Sequence, residues 1–198
     1  MTIDAVATAL DDASLDRIFR AGRSIHTFKD RPVTDETLRA LYELVKWGPT
    51  AFNAQPGRYV FVRSAAAKAR LVETLSSGNK AKTLAAPVTC LVAYDTRFYD
   101  HLPAGGSAAG LLSNNRPLAE ATAFRNSSLQ GAYLLLAARA LGLAAGPMSG
   151  FDPARLNAEF FAGSTWSVNF LINLGYPDGS EPSPRASRLP FEQCVQVI

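Results

Sequence analysis

The stretch Pro147-Met-Ser-Gly-Phe-Asp152 follows a long apolar segment and ends where a new helix should begin. Residues 129–141, LQGAYLLLAARAL, are apolar nearly all round, which predicts a helix buried on most of its faces rather than along one stripe. Gly142 is a natural C-terminal stop. Asp152 followed by Pro153 reads as an N-cap with proline at the first helical position, opening a helix through about Phe161. Between those two helices lies a short Gly-bearing turn, built to expose backbone N–H groups. A flat polar heterocycle can be hydrogen-bonded by such a turn without any charged side chain.

Working outward, helix and strand text alternate. Ser14 can cap a first helix with Leu15, Ile18 and Phe19 on one face, ending near Gly22; Thr34 can cap a second, with Asp35 and Glu36 in its first turn and Gly48-Pro49 as its stop. Arg58–Val62, Pro87–Tyr94 and Val168–Leu174 read as strands, 65–75 as a helix, and Phe191–Ile198 alternates like a further strand. Between Arg97 and Ala121 the breakers Gly105-Gly106, Gly110 and Asn114-Asn115 suggest an irregular lid or substrate-facing insertion. Residues 177–198 read as an extended C-terminal segment. The mixture predicts one α+β domain over 1–198, with a central, mostly antiparallel sheet packed by helices.

Composition narrows the function. The chain has 198 residues, 47% hydrophobic and 19% charged, which suits one folded domain and argues against disorder. Apolar runs break at Arg139 or at Gly and Pro well short of the ~20 residues of a membrane span. The N-terminal MTIDAVATALDDASLD is acidic and lacks the basic start of a signal peptide, so the cytoplasm is the expected location. A net charge of +3 with scattered cations does not suggest a nucleic-acid surface. Cys90 and Cys194 sit apart in strand-like text and read as buried, inert thiols, with no metal-ligand spacing. There is no GxSxG, no Cys-His neighbourhood and no strand-turn-helix carrying GxGxxG.

Five blocks, in order, resemble the nitroreductase superfamily of FMN-dependent NAD(P)H oxidoreductases. They are Gly22-Arg-Ser-Ile-His-Thr-Phe28, Trp47-Gly-Pro-Thr-Ala-Phe-Asn-Ala-Gln-Pro56, Asn79-Lys-Ala-Lys82, the Pro147–Asp152 loop and Arg185-Ala-Ser-Arg-Leu-Pro190. Within the superfamily the chain is most similar to the malonic semialdehyde reductase branch of uracil degradation. Ser76-Ser-Gly-Asn79, Lys82–Thr89 and Phe124-Arg-Asn-Ser-Ser128 carry that finer likeness.

The resemblance implies a homodimer built on the long apolar helix, with FMN bound and NADH or NADPH as co-substrate. Flavin chemistry asks the protein for hydrogen-bond donors and positive charge, because the cofactor performs the electron transfer itself. Arg23, Ser24 and Arg188, backed by Arg185, are the implied phosphate ligands; Arg forks match phosphate oxygens. This chain has Gly22 and Ala186 where the family pattern often carries Arg and Lys. Asn79 and Lys82 fall at the pyrimidine edge, His26 near O2, and the backbone of Pro147, Met148, Ser149 and Gly150 near N5 and O4. Pro49, Thr50, Ala51 and Asn53 match a segment contributed by the partner subunit, while Phe52, Phe124 and Arg125 are candidates for the substrate face. The implied reaction is ping-pong, with NAD(P)H oxidised first and a small electrophile, malonic semialdehyde foremost, reduced in the same pocket. Alternatives are a broad nitroaromatic or quinone reductase, a flavin-binding protein without turnover, and a dimeric helical scaffold.

Overall fold

The computed structural model describes residues 9–103 and 105–198; part of the N-terminal stretch weighed as a signal peptide lies outside the described residues. Four strands, β1 (Gly57–Val62), β2 (Val88–Asp95), β3 (Ala144–Met148) and β4 (Trp166–Gly175), form one antiparallel sheet in the order β1-β2-β4-β3. The central β2 is apolar on both faces because helices cover both. Val88, Cys90 and Val92 meet Leu41 and Val45 of α2 (Asp35–Val45) and Leu134 and Ala138 of α6 (Arg116–Ala140). Leu91 and Ala93, one residue out of phase, meet Leu71 of α3 (Ala65–Val72) and Leu156 of α7 (Pro153–Phe160). Each fully buried Leu contributes about 2 kcal/mol of apolar burial, so this two-sided packing determines the strand register.

The capping expectations hold at Thr34 and Asp152, and the structure adds a cap at Ser64. Thr34 accepts from the Thr37 N–H at 3.3 Å, Ser64 from Ala67 at 3.2 Å and Asp152 from Arg155 at 3.1 Å, with Pro153 at the first position of α7. The first helix differs. Asp11, not Ser14, is the cap of α1 (Asp12–Leu15), which continues as a π-helical turn over Asp16–Arg20; that wider turn leaves Phe19 exposed rather than on a buried face.

Larger corrections concern the middle of the chain. The region 97–121 is not an irregular insertion: it holds a 3-10 turn at Phe98–His101, helix α5 (Ser107–Ser113) and the start of α6. Most of the supposed breakers lie at helix boundaries, where Gly106 precedes α5 and the Asn115 side chain caps α6 by accepting from Leu118 at 3.2 Å, while Gly110 lies within α5. Helix α6 therefore starts thirteen residues before Leu129. It is also less buried than its composition suggests, since Leu118, Phe124 and Leu129 stand exposed along it.

Strand β3 covers sequence read as turn, because Gly146 and Pro147 disfavour strands in general. It is an edge strand, where proline's missing N–H costs no ladder bond. The C-terminal Phe191–Ile198 is not a strand; it forms a one-turn helix α8 (Phe191–Cys194) and then runs exposed, having no strand beside it among the described residues. Cys194 is accordingly exposed, whereas Cys90 is fully buried and its thiol is pushed far up by desolvation.

Candidate functional site

Residues Arg23–His26 run along the open edge of β3 in the same direction as the strand. Ser24 bridges Ala145 in parallel, and the Ile25 N–H donates to the Ala145 carbonyl at 3.1 Å. Gly146 permits this approach: a Cβ there would lie 2.4 Å from the Ile25 carbonyl oxygen and 3.3 Å from His26 Nδ1. This edge arrangement brings together most of the expected cofactor ligands in two groups, one at each end.

The first group is cationic. Arg185 donates through Nη2 to the carbonyls of Arg20 and Gly22 at 2.5 and 2.8 Å, which ties the C-terminal segment onto the start of this edge. Its guanidinium is held below the ordinary arginine value, by desolvation first and then by repulsion from Arg23, Arg188 and Arg139. Arg188 donates at 2.9 Å to the Ala186 carbonyl of its own turn. Ser24 is exposed beside them. A group of arginines pressed together without a carboxylate partner among the described residues is the electrostatic form of an anion site.

The second group lies about three extended residues further on, roughly 10 Å away at the strand rise. His26 is held below its ordinary value by desolvation and by the positive charge of Lys82, so it is largely neutral at pH 7. Lys82 projects from α4 (Ser77–Ala85), and while its neighbour Lys80 approaches Glu73, Lys82 has no carboxylate partner among the described residues. Asn79, on the same helix, is buried and donates through Nδ2 to the Gly150 carbonyl at 2.7 Å; Ser76 N–H shares that carbonyl at 3.0 Å. Asn79 thus braces the loop from behind. Met148 pairs with Leu171 in the sheet and Pro147 has no N–H, so of the four loop residues Ser149 and Gly150 are the ones whose N–H groups lie beyond the ladder. The Ser149 side chain is exposed and makes no bond among the described residues, in keeping with a contribution from its backbone alone.

The remaining expected residues lie elsewhere. Pro49–Asn53 leads into β1, at the opposite edge of the sheet, three strand spacings or roughly 14 Å from β3. Within one chain this segment does not reach the β3 edge. It is, however, built with unusual care. Phe52, Asn53 and Gln55 adopt positive φ values of 57°, 51° and 44°, a conformation that non-glycine residues hold only when their surroundings impose it. Asn126 Oδ1 accepts from the Ala51 N–H at 2.8 Å, and Gln130 Oε1 from the Gly57 N–H at 2.8 Å. Arg58 donates to the Gln55 carbonyl at 2.9 Å and to buried Asp95 at 2.8 Å. Asp95 in turn accepts from Thr165 and from the Arg97 N–H, and these bonds, with Arg58, outweigh desolvation and keep its carboxyl below the usual range. Phe52 is left exposed, as are Phe124, which meets Tyr94 edge to face, and Arg125.

Sequence reasoning did not single out Asn126 or Gln130 as anchors of this turn, or the Arg58–Asp95 pair, and it treated Arg139 only as a break in an apolar run. A signal was available for the first two: polar amides four residues apart on an otherwise apolar helix share one face and require buried partners. Among the described residues no group of three metal-ligating side chains occurs, and no helix is long and apolar enough to cross a membrane.

Residues 20–176 match the nitroreductase family, and the chain belongs to it. It is 53% identical over 194 residues to a protein of Xanthomonas oryzae pv. oryzae provisionally named NADH dehydrogenase/NAD(P)H nitroreductase, covering 96% of this chain and 99% of that one. A relative of the same provisional name from Burkholderia lata is 52% identical over 193 residues, covering 96% and 99%. The fold is shared with a crystal structure of a protein provisionally named nitroreductase, from Exiguobacterium sibiricum in complex with FMN, at a TM-score of 0.84 and 20% identity over 96% of this chain and 99% of that one.

Proposed function

We propose that this protein is an FMN-dependent NAD(P)H oxidoreductase, active as a homodimer in the cytoplasm, whose acceptor is a small electrophile such as malonic semialdehyde, reduced to 3-hydroxypropionate. The observation that carries the reading is the β3 edge itself. An arginine cluster without a carboxylate partner among the described residues stands at one end, and Lys82, neutral His26 and the Ser149 and Gly150 N–H groups beyond the ladder stand at the other, about the reach of a ribityl phosphate. That donor set fits a phosphate and a planar heterocycle. When bound, FMN supplies the hydride relay between nicotinamide and acceptor.

The chain's own groups then have distinct roles. Arg23 and Arg188 neutralise the phosphate, and Ser24 adds a hydroxyl donor. Lys82 places a fixed positive charge where negative charge develops, and His26, as a neutral imidazole, donates one N–H beside it. Asn79 keeps the Gly150 loop in place. An aldehyde acceptor gains one hydride at carbon and one proton at oxygen; a carboxylate on that acceptor calls for a cation. Arg125 is the candidate, because Arg116 is paired with Glu120 at 2.8 Å and Asn126 is buried against Ala51.

Two features support the dimer. Leu118, Phe124 and Leu129 stand exposed along α6, apolar surface that a second copy would cover. The strained Pro49–Asn53 segment stands at the sheet edge away from the β3 site, so a second copy is what would bring it to a flavin. A broad nitroaromatic or quinone reductase is the second reading, favoured by the exposed Phe52 and Phe124 and by the names that the relatives carry.

The test is the visible spectrum of the purified protein and steady-state NAD(P)H oxidation with malonic semialdehyde, a nitroaromatic and a quinone as acceptors. A flavin spectrum with higher kcat/KM for the aldehyde is expected. A preference for nitroaromatics or quinones would select the second reading; no flavin bands and no thermal stabilisation by added FMN would overturn both.

A further inference from the structure

Arg139 interrupts the apolar text of α6 in its last turn, and the structure places its guanidinium against the backbone of Gly22. A Cβ built on Gly22 would fall 2.5 Å from Arg139 Cζ and Nη1 and 2.9 Å from Nε, so the space that a side chain at position 22 would need is already filled by the end of Arg139. Nη1 donates to the Ile18 carbonyl at 2.9 Å. That leaves Nη2 and Nε free of protein acceptors among the described residues, and no carboxylate pairs with Arg139 there. Arg185 reaches the carbonyl of the same Gly22. The glycine backbone therefore lies between two guanidiniums, with Arg23 next in sequence.

We infer that Arg139 is a further phosphate-binding residue, which takes the place of a cation at position 22 by reaching across from α6. The inference rests on the FMN reading above. A second, plainer role for Arg139 is structural: it holds the turn at Ile18 and faces the negative end of the α6 dipole. The two roles differ in what they do to a flavin that lacks the phosphate. An anchoring arginine affects FMN and riboflavin alike, whereas a phosphate ligand affects FMN alone. The packing against Gly22 adds a second distinction. If Arg139 supplies the charge missing at position 22, moving the arginine to that position should supply it again, because removing the Arg139 guanidinium opens the volume that a side chain there requires.

The experiment is equilibrium titration of the full-length chain with FMN and, separately, with riboflavin, after thermal unfolding has established that each variant folds. Arg139→Met is expected to weaken FMN by about tenfold, the contribution of one charge-assisted hydrogen bond, and to leave riboflavin unchanged. The double variant Gly22→Arg, Arg139→Met should regain most of the loss for FMN. If Arg139→Met does not fold, Arg139→Gln, which retains a donor for the Ile18 carbonyl without the charge, carries the same comparison. Equal losses for both ligands, or no loss for FMN, overturn the inference while leaving the flavoenzyme reading intact. Failure of the unaltered chain to take up FMN overturns both.

Discussion

Replacing Asn126 by Ala tests whether the strained turn at 51–55 is held in place by α6. The substitution removes the Oδ1 acceptor of the Ala51 N–H at 2.8 Å; the Thr122 carbonyl, to which Asn126 Nδ2 donates, keeps its helical partner. Losing one hydrogen bond at this part-buried position costs about 2 kcal/mol. Against it stands the left-handed backbone of Phe52, Asn53 and Gln55, worth roughly 1 kcal/mol each, less at Asn, which tolerates that region best. The stored strain, about 2–3 kcal/mol, is thus comparable with the restraint removed. The turn should relax even though Gln130 and Arg58 still hold its far end. Expected are a fall in melting temperature of at most about 4–8 °C for a chain of this length, because relaxation of the turn offsets part of the loss, faster amide exchange at residues 51–55 than in the sheet, and a fall in kcat/KM larger than any change in flavin content. An unchanged exchange pattern at 51–55 together with unchanged kcat/KM would refute the reasoning.

Three further outcomes follow from the same geometry. Asp95→Asn leaves Arg58 without its carboxylate and should cost about 2–3 kcal/mol, below the range for fully buried pairs because Arg58 keeps 21% side-chain exposure. Since the folded carboxyl lies below its unfolded value near 4, the stability that Asp95 contributes is present above that pH and lost as pH falls below it; acid unfolding curves should be shallower in the Asn variant, and parallel curves would count against the pair. Lys82→Ala should lower NAD(P)H oxidation by about tenfold while Ser149→Ala stays near the unaltered rate, and the reverse order, measured by steady-state kinetics, would reassign both roles. Leu129→Glu, at an exposed position of α6, should convert the proposed dimer to monomer by light scattering at micromolar concentration, and a dimer that persists would place the interface elsewhere.

The Thr34 cap, the β2 and β4 strands, and the Asp152-Pro153 start of α7 were legible in the sequence because each is governed by neighbours within a few residues: a cap oxygen and the N–H three positions on, or alternation across a pleat. The ordered motif blocks were legible for the same reason, being local text. Tertiary structure alone decided that Gly146-Pro147 is strand, since an edge position next to Arg23–His26 makes tolerable what propensity disfavours. It also decided that Phe191–Ile198 is not strand, because alternation without a neighbouring strand leaves every backbone donor to water. The site divides along the same line. Arg23, Ser24, His26, Lys82 and the Ser149-Gly150 backbone could be named from local sequence, but their gathering along β3, the bracing of one strained turn by Asn126, Gln130 and Arg58–Asp95, and the approach of Arg139 to Gly22 join residues 37 to 121 positions apart. Such contacts depend on which helix faces cover which strands, and that is settled by the packing of the whole sheet rather than by any window of the chain.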